Sequence, residues 1–168
     1  MNSLKLITIS CAIITSFTLL MLINYFLTKN FKSKLNNDGK LKISFAIWYA
    51  AMFLAGANII SSIISTIFEV IDNLVKIQPT KFYFELIKAI SLVIGIGFIW
   101  FMLWFLVIKF LSKIIPIKAD ENEEMEEDNY GYFLVKGIML IGLIFSLSPV
   151  LSLILRALIP NVEIPFYH

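Results

Sequence analysis

The stretch ISFAIWYAAMFLAGANIISSIISTIF, residues 43–68, decides the fold. It runs for 26 residues without a charged side chain and without proline. A charge at the centre of a bilayer costs roughly 2.5–3.5 kcal/mol on insertion scales. A helix rising about 1.5 Å per residue needs roughly 20 residues to cross a hydrocarbon core about 30 Å thick. The run meets both conditions. So do the charge-free runs 6–28, 89–108 and 137–155, of 23, 20 and 19 residues. None alternates polar and apolar positions as a β-barrel strand does. The expectation is an all-α, polytopic transmembrane bundle of four helices, near 6–28, 43–68, 89–108 and 131–156. It forms a single membrane domain over 1–168, with an acidic loop at 119–128.

Composition agrees. Of 168 residues, 59% are hydrophobic and 15% charged, against about 25% charged in a soluble domain. A net charge of +2 from scattered lysines excludes nucleic acid as a partner. The first apolar run is too long for a cleavable signal core of about 7–15 residues, so the first helix is expected to stay, with Cys11 as a small buried residue.

Lysines near the helix ends set orientation. Lys29, Lys32, Lys34, Lys40 and Lys42 in loop one, with Lys109, Lys113 and Lys118 in loop three, outnumber those on the opposite side. Loops one and three are therefore expected in the cytoplasm, with both termini outside. Residues 120–128 carry seven carboxylates in nine positions and read as a solvated, extended connector. Glu123, Glu124, Glu126 and Glu127 are its candidates for docking a basic partner. The run lacks the internal glycine of a calcium loop. Its end, with Asn129, is placed to cap the fourth helix. Lys136 and Arg156 bracket that helix and are expected to reach toward opposite interfaces.

Inside the spans, small residues recur on helix two at Ala50, Ala57, Ser61 and Ser65, with Gly56 alongside and Asn58 near the middle. Helix four repeats the pattern with Gly137, Gly142, Ser146, Ser148 and Ser152, and Pro149 is expected to kink it. Such positions serve either close helix packing or a polar path. Trp100, Trp104 and their phenylalanine neighbours read as an interfacial belt. The one histidine is His168, so neither a His-based triad nor a His metal cluster can form, and no phosphate loop is present. No enzyme activity and no cofactor are expected.

The chain also matches itself. Residues 25–35 align with 104–114 at an offset of 79, and at an offset of 86 Leu54, Gly56 and Ser62 meet Leu140, Gly142 and Ser148. Two duplicated helical hairpins in one orientation would give this pattern. With its Glu126-Glu127-Asp128-Asn129-Tyr130-Gly131-Tyr132 opening followed by Gly137 and Gly142, the chain resembles the bacterial four-helix membrane family known as domain of unknown function 350. Gly39-Lys40-Leu41-Lys42-Ile43 departs from that pattern in the first pair. The resemblance implies a bacterial inner-membrane protein linked to the envelope. The expected role is a non-enzymatic subunit or scaffold, in contact with the lipid bilayer and with further copies or unlike membrane subunits. The alternative is a small oligomeric transporter or channel lined by helices two and four.

Overall fold

A computed structural model describes residues 2–30, 35, 38–77, 80–114 and 120–158. The described elements are all helical: α1 (Asn2–Asn30), α2 (Ile43–Ile77), α3 (Phe82–Ile114), α4 (Glu121–Glu126), α5 (Tyr130–Ser146) and α6 (Ser148–Ala157). The central helix is α2, which packs on α1, α3, α5 and α6 and makes its most extensive contact with α5. Phe45, Trp48, Met52, Ala55, Ile59 and Ile63 form its buried stripe, at spacings of three and four residues.

Helices α2 and α3 run beyond the charge-free windows. Past Phe68 the apolar stripe continues through Val70, Ile71 and Leu74, while Asp72 and Lys76 pair in solvent at 2.6 Å. A charge ends the stretch able to sit in hydrocarbon without ending the helix. The fourth expected helix is two: α5 and α6 meet at Leu147 with a bend of 44°. Pro149 sits in the first turn of α6 and has no N–H for the preceding turn, so the expected kink is present.

Helices α2 and α3 are long and apolar enough to cross a membrane, and the bent α5–α6 pair makes a third if it is one span. Within α1, the described apolar stretch is Ile13–Tyr25. The outer faces are as greasy as a core: Phe17, Ile87, Ile99, Phe110, Ile138 and Leu153 each expose more than 60% of their surface. Water would reject so large an apolar exterior; lipid accepts it.

Helix α2 and the α5–α6 pair lie side by side in the same direction. A Cβ on Gly137 would stand 2.8 Å from the Ala51 Cβ, and the Ser62 and Ser148 hydroxyls meet at 3.4 Å. Both pairs are separated by 86 residues, the offset at which the sequence matches itself. The match is not an equivalence of surroundings. A Cβ on Gly56 would run into Ile23 of α1, whereas one on its counterpart Gly142 would meet no other part of the bundle within 4 Å among the described residues.

Candidate functional site

Two polar places stand out in this apolar bundle. The first closes the end where α2 and α5 begin. Segment 120–129 is not an extended connector there. Asp120 accepts from the Asn122 N–H at 3.1 Å and starts α4. The helix ends with Asp128 in the left-handed region at φ 54°. The Asn129 N–H donates to the Glu124 carbonyl at 2.9 Å and the Asp128 N–H to Met125 at 3.4 Å, the paired bonds of a Schellman turn. Asp tolerates this left-handed position better than most residues.

The turn lets two neighbouring side chains start two different helices. Asp128 accepts from the Ser44 N–H at 2.8 Å and the Ile43 N–H at 3.4 Å, capping α2. Asn129 accepts from the Tyr132 N–H at 3.2 Å, capping α5 as expected, and its amide also donates to Glu124. Burial pushes the Asp128 carboxyl up, but the hydrogen bonds from Ser44 and Ile43 and the charge of Lys42 outweigh it and hold it below the ordinary 3.8.

Two buried lysines hold α4 from below. Lys42, 5% exposed, donates to the Met125 and Glu126 carbonyls, each at 2.9 Å, at the negative end of the short helix. Lys136, 4% exposed, pairs with Glu121 at 2.5 Å. Its Nζ also lies 4.6 Å from the centre of the Trp48 ring, 5.7 Å from Tyr132 and 6.0 Å from Phe133. Between the two lysines Met125 is buried, its sulfur accepting from the Ser44 hydroxyl at 3.2 Å. Lys136 therefore does not extend to an interface; it turns inward because the acidic segment folds over it. Arg156, at the other end, stays exposed and bonds Glu69 at 2.8 Å. Glu123, Glu126 and Glu127 point to solvent, whereas Glu124 is engaged by Asn129.

This double cap yields a first prediction. Asp128→Ala removes the α2 cap and places a Cβ-bearing residue that cannot bond its own backbone at positive φ, a combined cost of about 1–2 kcal/mol. Asp128→Gly relieves the backbone and is expected to cost less. Because the carboxyl is depressed in the folded protein, its contribution is full above the ordinary 3.8 and is lost as pH falls through the lowered value. Chemical unfolding of both variants in detergent across that range checks the order and the sign; equal losses for Ala and Gly count against the strained-turn account.

The second place is the seam between α2 and the α5–α6 break. Asn58 is half-buried, and its Oδ1 has no hydrogen-bond partner among the described residues. The Ser62 hydroxyl contacts both the Asn58 carbonyl at 3.5 Å and Ser148. Ala51, Ala55, Gly56 and Gly137 are buried between helices. Ser61, Ser65, Gly142, Ser146 and Pro149 are exposed, as are Ala50 and Ala57. The small residues therefore divide into an inner set that closes this bundle and an outer set turned away from it. Among the described residues no three metal-ligating side chains converge.

Sequence alone places Asp128 with Asn129 at the start of the fourth helix and Lys42 among the orienting charges; in the structure Asp128 caps α2 and Lys42 is buried against α4. The available signal was Asp128-Asn129, two consecutive residues suited to capping, beside only one helix start that needed them. Comparison with known protein families, with characterised proteins and with solved structures finds no match for this chain.

Proposed function

We propose that the chain is a non-enzymatic, multi-pass subunit or scaffold of a bacterial cytoplasmic membrane. In this reading α1, α2, α3 and the α5–α6 pair are its four spans. Loops one and three face the cytoplasm and both termini lie outside. Lys42 and Asp128 support the shared side, since their bonds join the segments before α2 and before α5 at one end of the bundle. Duplication of a helical hairpin and kinship with domain of unknown function 350 belong to the same proposal. The Asp128-Asn129 pair gives the acid-Asn motif a physical task, opening two helices at once.

The observation that carries the scaffold reading is the outward set on α2: Ala50, Ala57, Ser61 and Ser65 are exposed on a membrane-facing helix. Lipid gains nothing from small or hydroxyl-bearing positions, while a neighbouring helix gains close approach and hydrogen bonds. Unlike membrane subunits or further copies would fill that role. The transporter alternative draws on the unpaired Asn58 Oδ1 beside a broken helix, an arrangement that can line a path.

The oligomeric state in lipid separates them. The scaffold reading expects a protomer bound to unlike chains, or copies packed through the α2 face. A symmetric ring with Asn58 on a central cavity would replace it with the transporter. Ser61→Leu with Ser65→Leu is expected to weaken assembly by about 0.6–1.7 kcal/mol per lost interhelical bond, and Asn58→Leu to leave solute flux into vesicles unchanged. A flux that changes while assembly holds reverses the order of the two readings.

A further inference from the structure

Helix α4 has six residues, too few to persist in water without tertiary support. Its support is almost wholly polar. Apart from buried Met125, it is held by Lys42 on its last carbonyls, by Lys136 on Glu121 and by the Asp128 bonds to α2. Without those bonds α4 would have little to keep it docked and helical.

Release has a specific consequence. Lys42 and Lys136 are 5% and 4% exposed, and a buried ammonium needs an anion or hydrogen-bond acceptors close by. Lys136 obtains its anion from Glu121, while Lys42 bonds the Met125 and Glu126 carbonyls and also has the Asp128 carboxylate near it. The rings of Trp48, Tyr132 and Phe133 stabilise the Lys136 cation without neutralising it, and Lys109 on α3 adds a further positive charge nearby. Glu121 retains 22% exposure, so an incoming anion can reach the pair from water.

We propose that α4 is a displaceable latch whose Glu121 occupies an anion seat built on Lys136, and that the ligand taken on release is a phosphate group, carried by a phospholipid or free. The seat suits this chemistry because a phosphate oxygen can accept from the Lys136 ammonium in place of the Glu121 carboxylate, with Lys109 adding positive charge. Its position at the start of α2 and α5 puts it level with headgroups in the four-span reading. The lipid arm of the test rests on that reading; the exchange and free-phosphate arms do not.

The test uses the full chain in dodecyl maltoside micelles, which carry no phosphate, with or without added phosphatidylglycerol, and separately with inorganic phosphate. Hydrogen exchange of 120–129 reads the latch, and phosphorus NMR reads bound phosphate. Glu121→Gln is expected to speed exchange in 120–129 by at least about tenfold while α2 stays protected, and to increase bound phosphate. Glu121→Gln with Lys136→Met is expected to exchange as fast and bind none; Glu121→Gln with Lys136→Arg is expected to bind. A gain only with phosphatidylglycerol assigns the headgroup, and a gain with inorganic phosphate assigns the free anion. Unchanged exchange in Glu121→Gln overturns the latch. Equal phosphate retention with and without Lys136 overturns the seat.

Discussion

Replacing Gly137 by leucine is expected to separate α2 from α5 and to destabilise the bundle more than any change on its outer faces. The space is already taken. Even an alanine Cβ would lie 2.8 Å from the Cβ of Ala51, a group fixed to backbone that cannot swing aside, so the helices themselves must move. Gly137→Ala gains about 1 kcal/mol in helix propensity and sets it against an overpacking cost of about 1–3 kcal/mol. Leucine adds three more carbons to the same point, and its cost lies at or above the top of that range. It also draws apart the Ser62 and Ser148 hydroxyls and the Trp48 and Phe133 rings, now 6.3 Å between centres. Unfolding by a denaturing detergent measures the loss. Ala51→Gly in the same chain is expected to recover most of the Gly137→Ala penalty, since it removes the opposing methyl. A Gly137→Leu protein as stable as the parent contradicts the close contact of α2 and α5.

Trp48→Ala is the second large loss, about 3–5 kcal/mol for emptying the site of a fully buried aromatic side chain. Trp48 is 1% exposed, and its ring lies 6.4 Å from Phe105 of α3 and 6.3 Å from Phe133 of α5. It therefore joins three helices at one level. In hydrocarbon the penalty comes from lost dispersion contacts rather than from water ordering, because lipid is as apolar as the core. The ring also lies under the Lys136 ammonium at 4.6 Å. Trp48→Phe should retain part of both functions and fall well short of the alanine loss. Near-equal losses for Phe and Ala would show that a single ring restores neither the packing against Phe105 and Phe133 nor the contact with Lys136. Fluorescence and thermal unfolding in micelles give the comparison.

Long apolar helices were legible because hydropathy is additive along a chain and needs no partner to be recognised. The kink at Pro149 was legible for a similar reason: a missing N–H is a property of one residue. Helix ends were read too short, since Leu74 keeps its apolar face inward after Asp72 and Lys76 have already appeared in the sequence. The acidic segment was misread because its structure depends on residues far along the chain. Seven carboxylates repel one another and predict an extended chain until Lys42 and Lys136 are brought beneath them by folding. Charge pattern reports what a segment does alone, whereas a buried countercharge some 80 residues away reverses the outcome. The outward placement of Ser61, Ser65 and Ser146 was equally hidden, because small residues favour close approach on whichever side a neighbour stands.

The two contacts between α2 and the α5–α6 pair, Ala51 with Gly137 and Ser62 with Ser148, are eleven residues apart on each side, about three turns. At both levels the partners stand at the same height, so the helices keep step. A piston stroke of either one would disengage both levels together and drive Gly137 past the Ala51 methyl. Axial sliding is thereby blocked. The freedom left is a swing of α6 about Leu147, which would carry Ser148 off Ser62 while Gly137 stays against Ala51, so any mechanical signal crossing the bundle along α5 and α6 would travel as a change of tilt.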